Sequence, residues 1–221
     1  MRADRKTYIP LKIVIAGGFG VGKTTMVQAL SEIPPLVTEE ALTTASVGLD
    51  DVSAVPGKTT TTVAMDFGRI SMDDLVLYLF GTPGQDRFWF MWDELARGAV
   101  GAVVLVDLRR VDDCFPAIDY FESRHLPFVI AVNTFPAADA FPDDEVRDAL
   151  ALRADTPIVR VDARDSVSCT AALIALVEHA LDRSDGGPRR TAPARTGSLA
   201  AHSPLSEAAA RSAAVAPGRR T

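Results

Sequence analysis

The sequence predicts an α/β fold: a mostly parallel central sheet of about six strands, with one antiparallel edge hairpin and helices on both faces. Two observations predict it. Short apolar runs alternate with helix-like segments from Leu11 to Leu181, the pattern of strand–helix–strand units with crossover connections. The first apolar run, Leu11 to Ala16, leads straight into a glycine-rich turn and then into a helix-like run from Thr24.

Taken in order, Leu11 to Ala16 is mostly apolar, as suits a central parallel strand. The first helix is expected over Thr24 to Ile33 and is stopped by Pro34 and Pro35. Leu36 to Gly57 reads as a long loop. A β-branched stretch from about Thr62 to Ile70, the turn Asp73-Asp74 and the run Leu75 to Phe80 predict a hairpin. Gln85 to Arg97 reads as a helix. Ala99 to Val106 and Phe128 to Val132 read as buried strands, separated by a helix over Val111 to His125 with Pro116 as an irregularity inside it. Pro142 to Leu152 opens with three acidic residues, which suit the positive end of a helix. Pro157 to Val161 is a short strand, and Ser166 to Leu181 is the last helix. Ligands of such sheets sit beyond the carboxyl ends of the strands, where Gly17, Gly84, Asn133 and Ala163 all fall.

The turn after the first strand carries chemistry. Gly17-Gly18-Phe19-Gly20-Val21-Gly22-Lys23-Thr24 fits G-x-x-x-x-G-K-[ST], a phosphate-binding loop. Glycines let successive N–H groups turn inward toward phosphate oxygens, and the helix N-terminus adds partial positive charge. Lys23 can reach the β- and γ-phosphates, and the Thr24 hydroxyl can ligate Mg²⁺. Residues 17–25, through Thr25, are therefore the expected nucleotide cradle of a P-loop NTPase.

Composition excludes other classes. The 221 residues hold one sizeable domain and a tail, and the net charge of −6 argues against nucleic acid. No apolar run has the length of a membrane span, and the basic N-terminus lacks the apolar core of a signal peptide. The two cysteines, Cys114 and Cys169, have no metal-ligand or redox spacing, which suits a reducing, cytoplasmic compartment. Residues 1–181 are expected to fold. Residues 182–221, rich in Ala, Arg, Ser and Pro, read as a disordered tail with seven arginines against Asp182, Asp185 and Glu207. A basic tail on an acidic domain can touch an anionic membrane surface or an acidic partner.

Four segments together resemble the small Ras-like GTPases over about Leu11 to Leu181. They are the phosphate loop, Thr62-Val63-Ala64-Met65-Asp66-Phe67, Leu79-Phe80-Gly81-Thr82-Pro83-Gly84-Gln85-Asp86-Arg87-Phe88, and Val161-Asp162-Ala163-Arg164. The second resembles the switch I segment of Rab-type proteins, the third their D-T-A-G-Q-E-R-F, and the fourth their S-A-K loop. The chain looks closest to prokaryotic GTPases of the MglA type, especially the conservon GTPases of actinomycetes. The resemblance implies GTP or GDP with Mg²⁺. Lys23 would sit on the phosphates, Thr24 and Thr62 on the metal, Gly84 on the γ-phosphate through its N–H, and Gln85 on the attacking water. Asn133 and Ala163 would lie at the base. It also implies a roadblock-type light-chain regulator, a membrane-associated sensor-kinase-like partner and a place at the inner face of the membrane.

The departures are as specific. Gly81 stands where the family has a metal-site aspartate, so the metal must lean on Thr24, Thr62 and phosphate, or borrow Asp66 or Asp107. Phe19 replaces a small residue and would crowd the γ-phosphate side. The base-reading N-K-x-D appears only as Asn133-Thr134-Phe135-Pro136, with Asp139 displaced. Thr61 competes with Thr62 for the metal role, and Arg87 could stabilise phosphate charge or form a surface ion pair. The run Phe88-Trp89-Phe90-Met91-Trp92 cannot all face one core from a helix. Three functions stay open: a slow GTP-hydrolysing switch, a nucleotide-holding module with little hydrolysis, and an ATP-using protein of the same loop class.

Overall fold

The structure, a computed structural model, describes residues 8–34, 65–83, 90–135 and 141–184. Among the described residues twelve elements follow one another, one of them a 3₁₀ segment. They are β1 (Ile9–Gly17), α1 (Lys23–Leu30), β2 (Phe67–Met72), β3 (Leu75–Gly81), α2 (Trp92–Ala96), β4 (Gly101–Val106), the 3₁₀ segment Leu108–Cys114, α3 (Phe115–Ser123), β5 (Phe128–Asn133), α4 (Asp143–Ala149), β6 (Ile158–Val161) and α5 (Ser166–Ser184). The strands form one sheet in the order β2-β3-β1-β4-β5-β6. Among the described strands only β2 runs antiparallel, against β3.

Physical reasons for this order are local. Every residue of β4 and of β5 is buried, as expected of strands covered on both faces. One face packs Val14, Val104, Ile130 and Val132 against α3 and α4, with Trp92 and Phe121 among them. The other packs Ile13, Ile15, Val103 and Val129 against α1 and α5 through Met26, Leu173 and Leu176. The outer edge of β2 is closed by the end of α1. There Glu32 N–H donates to the Arg69 carbonyl, and the Glu32 carboxylate accepts from Arg69 Nε at 2.7 Å and Ser71 Oγ at 2.6 Å. These bonds occupy part of an edge that would otherwise template another strand. Asp165 starts α5 by accepting from the N–H groups of Val167 and Ser168.

The predicted order of strands and helices and the hairpin are observed, with shifted ends. β2 begins at Phe67, later than expected, and residues 35–64 lie outside the described residues. Pro116 is no irregularity. It sits in the first turn of α3, where its missing N–H has no intrahelical partner to lose, and the 3₁₀ segment precedes it. Of the aromatic run, Phe90 is 62% exposed and Trp92 is 5% exposed, while Phe88 and Trp89 lie outside the described residues. The described helix there is Trp92–Ala96, and residues 85–89 of the expected helix lie outside the described residues. α5 continues past the expected boundary at Leu181 to Ser184. Among the described residues, no helix is long and apolar enough to cross a membrane.

Phe121 shows no exposure and its ring lies 5.8 Å from Trp92, 5.3 Å from Tyr120 and 6.3 Å from Phe128, centroid to centroid. Phe121→Ala is therefore expected to cost about 3–5 kcal/mol. Urea denaturation checks this, and a loss below about 1 kcal/mol would mean that the aromatic layer closes over the gap.

Candidate functional site

The carboxyl ends of β1, β4, β5 and β6 meet at one edge of the sheet, and the glycine-rich turn joins β1 to α1 there. Gly17, Gly20 and Gly22 take φ of 135°, 70° and 110°, conformations that side-chain-bearing residues rarely adopt. The Lys23 ammonium folds back into this turn and donates to the carbonyls of Gly17 at 2.9 Å and Gly18 at 2.7 Å. Burial pushes its pKa down to about 8, partly offset by Asp66. Val21 is buried, and Phe19 is 65% exposed. The aromatic side chain therefore stands largely in solvent. Thr24 is exposed and Thr25 half-buried at the start of α1.

The Thr24 hydroxyl donates to Asp66 Oδ2 at 2.8 Å. Asp66 immediately precedes β2, and its carbonyl accepts from the Gly81 N–H at 2.8 Å. Consequently its side chain fills the space that a residue at Gly81 would need: a Cβ there would lie 2.8 Å from Asp66 Cβ and 2.9 Å from Oδ2. Of the two carboxylates that the sequence offered in place of the missing one, the structure brings Asp66 to Thr24. Asp107 is occupied elsewhere. It is buried, accepts from Arg109 Nε at 2.9 Å and Nη2 at 2.8 Å, and is approached by Arg110 at 3.7 Å. Burial raises the Asp107 pKa, and the bonds from Arg109 outweigh it, leaving the net shift downward.

These donors fit Mg²⁺. The ion favours one or two protein oxygens together with phosphate and water rather than an all-protein cage. Thr24 and Asp66 supply a hydroxyl and a carboxylate in contact, beside the loop that would hold the phosphates. Among the described residues, no group of three His, Cys, Asp or Glu is placed to hold a metal alone.

Asn133 ends β5 and joins two loops. Its Nδ2 donates to the Val21 carbonyl at 2.9 Å, and its Oδ1 accepts from the Ala163 N–H at 3.0 Å. The amide of Ala163, a residue expected to lie at the base, thus donates to Asn133. Thr134 Oγ1 donates to the Val161 carbonyl, and Phe135 lies under the Arg109 guanidinium at 4.0 Å. Arg109 and Arg110 are not among the residues that the sequence predicts for the site. For Arg109 the available signal was Asp-x-Arg directly after a strand, which occurs at Asp107–Arg109 and again at Asp162–Arg164. Thr61, Thr62, Gly84, Gln85, Arg87 and Asp139 lie outside the described residues.

Two outcomes test this geometry. Gly81→Asp alone is expected to cost about 1–3 kcal/mol by overpacking against Asp66, and Asp66→Gly in the same chain should restore most of it. If Gly81→Asp is harmless on its own in thermal denaturation, the two positions do not compete for one space. The second concerns pH. A phosphate beside Lys23 favours its charged form and raises its pKa above the value near 8 set by burial. Nucleotide affinity should therefore stay level below about pH 8 and fall as pH rises above it, with proton uptake on binding. Calorimetry in two buffers of different ionisation enthalpy measures that uptake, and none at pH 8.5 would refute it.

A family model described as a conserved hypothetical ATP binding protein matches residues 15–183. An uncharacterized protein of Methanocaldococcus jannaschii is 30% identical over 131 residues, which are 58% of this chain and 73% of that protein. The Ras-related protein Rab-7b of Homo sapiens is 25% identical over 185 residues, 79% of this chain and 84% of its own length. Among solved structures, the G domain of the T. maritima FeoB iron transporter superposes with a TM-score of 0.55 at 18% identity, covering 78% of this chain and 99% of that one. The cytosolic domain of that transporter in its GMPPNP form gives a TM-score of 0.55 at 18% identity over 77% of this chain and 64% of that one. These structural likenesses show a G-domain fold of the P-loop NTPase type. With the family match running from the end of β1 through nearly all of α5, the chain belongs to the conserved hypothetical ATP binding protein family.

Proposed function

We propose that the chain is a small GTP-binding protein that holds GTP and GDP with Mg²⁺ and hydrolyses GTP slowly as a signalling switch. The observation that carries the reading is the loop of residues 17–24, in which Lys23 is bound to loop carbonyls and Thr24 to Asp66. Buried beside loop carbonyls with Asp66 nearby, the ammonium gains further from an anion, and phosphate oxygens would accept from it. The GDP and GMPPNP forms of the FeoB cytosolic domain support a guanine nucleotide, as does the likeness to Rab-7b.

In this reading Gly17 to Thr25 hold the nucleotide, with Gly84 at the γ-phosphate and Asn133 and Ala163 bracing the base loop. Mg²⁺ would be held by Thr24, Thr62 and Asp66, and when bound it neutralises charge on the transferring phosphoryl group. Lys23 stabilises the same charge, and Gln85 orients the attacking water. Roadblock-type and sensor-kinase-like partners, a cytoplasmic place at the inner membrane face and MglA-type or conservon kinship complete the proposal on the resemblance alone.

A second reading, an ATP-using or barely hydrolysing module, is favoured by two observations. The matching family is described as ATP binding. The loop after β5 also lacks the lysine and aspartate that read guanine. Identification of the co-purified nucleotide, followed by competition between ATP and GTP, separates the two readings. Preference for ATP would overturn the first.

Single-turnover phosphate release from GTP should run on the order of 10⁻³ s⁻¹ or below. Gln85→Leu should lower it further with nucleotide affinity nearly intact, because Gln85 would contact the water and not the ground-state nucleotide. Lys23→Ala should abolish tight binding. Equal rates in parent and Gln85→Leu remove Gln85 from the mechanism, and tight binding by Lys23→Ala removes the phosphate-loop assignment.

A further inference from the structure

We propose that Arg110 is a positioning residue of the phosphate loop: it holds the Phe19–Gly20 peptide so that the Gly20 N–H is presented to bound phosphate. This rests on the reading of residues 17–24 as a nucleoside triphosphate site.

The argument starts from where the loop carbonyls go. An anion cradle works only if its N–H groups point in and its carbonyls point elsewhere. The carbonyls of Gly17 and Gly18 are held by Lys23. The next one, of Phe19, is held by Arg110 Nη2 at 2.8 Å. The described peptide bonds are trans, and a planar trans peptide sets its N–H opposite its carbonyl. Fixing the Phe19 oxygen on the outside therefore turns the Gly20 N–H to the inside of the loop. The same bond polarises the amide, since a cation on the carbonyl makes the N–H a stronger donor.

Arg110 is itself fixed for this purpose. It breaks the 3₁₀ segment with φ −142° and ψ 56°. Its Nε lies 3.7 Å from the buried Asp107 carboxylate, and its Nη1 lies 3.4 Å from Asp113. Asp113 in turn packs against the back of the loop, where a Cβ on Gly18 would come within 2.5 Å of Asp113 Cβ. The segment after β4 thus touches the loop at Gly18 and Phe19, and Arg110 Nη2 stands 3.7 Å from where a Gly20 Cβ would be. The guanidinium bonds loop backbone, so its action on a phosphate passes through the peptide.

The test uses the full chain with Mg²⁺ and two probes, GDP and GMPPNP, by calorimetry. Arg110→Ala should weaken both by about five- to twentyfold, the loss of one hydrogen bond from a charged donor. Its melting temperature without nucleotide should stay near the parent value. Arg110→Lys, which can still donate to the Phe19 carbonyl, should recover part of the loss. The specific signature is the Gly20 amide resonance. In the parent it should move downfield on GDP binding, and in Arg110→Ala that shift should shrink, which a merely structural role would not cause. If Arg110→Ala fails to fold, Arg110→Gln, a neutral donor, carries the same comparison. Unchanged affinity and an unchanged Gly20 shift in a folded variant overturn the proposal while leaving the nucleotide reading intact. A parent that binds neither probe overturns both.

Discussion

The side-chain amide of Asn133 ties together loops that are far apart in sequence. It donates to Val21 in the turn after β1 and accepts from Ala163 after β6, while standing itself at the end of β5. A carboxamide is suited to this because it offers a donor and an acceptor in one plane. Both partners are backbone groups of buried residues, which would otherwise lose water without replacement. The site edge exists as one surface because this bridge sets the spacing between the phosphate loop and the β6–α5 loop. Gly22 shows how tight that spacing is, since a Cβ there would lie 2.8 Å from Asn133 Nδ2.

Charge at this edge is arranged by the same economy of space. Lys23 is buried with carbonyl partners, and the resulting fall in its pKa leaves an ammonium that favours an incoming anion. The balancing carboxylate comes from Asp66 and not from β3. Gly81 and Asp66 are complementary: the absence of a side chain at one is what allows the side chain of the other to reach Thr24. The substitution that looks like a lost carboxylate in the sequence is, in the fold, a displaced one.

Much of this was legible in the sequence. Strand order along the chain followed from the apolar runs, because strands buried on both faces carry few polar residues. The phosphate loop followed from glycine spacing, and the hairpin from Asp73-Asp74 between two strand-like runs. What stayed hidden depended on register. Asp66 and Asp107 were equal candidates until the pairing of β2 with β3 set the Asp66 backbone beside Gly81, a contact no local pattern encodes. Pro116 misled because the apolar spacing of Val111, Cys114 and Phe115 suits a 3₁₀ turn as well as an α-helix. The Arg110 contact with Phe19 was invisible for a third reason: it rests on one non-helical residue inside a helical run.

The loop that would read a base is the last place where the chain departs from the pattern it resembles. β4 and β6 flank β5, and each ends in an Asp-x-Arg clip. Asp107 accepts from the Arg109 backbone and guanidinium, and Asp162 accepts likewise from Arg164. The Arg164 bonds lower the Asp162 pKa to about 2. Both carboxylates are thus committed to guanidinium groups. Arg109 also covers the Phe135 ring, placing a permanent cation against the loop where a lysine and an aspartate are missing. A guanidinium donates and never accepts. It can therefore recognise the acceptor edge of a purine, N7 in either base and O6 in guanine alone, but it cannot accept from the guanine N1 and N2 groups as a carboxylate would. Among the described residues of this loop, any preference for guanine comes from donors, which is a weaker discriminator than a fixed carboxylate.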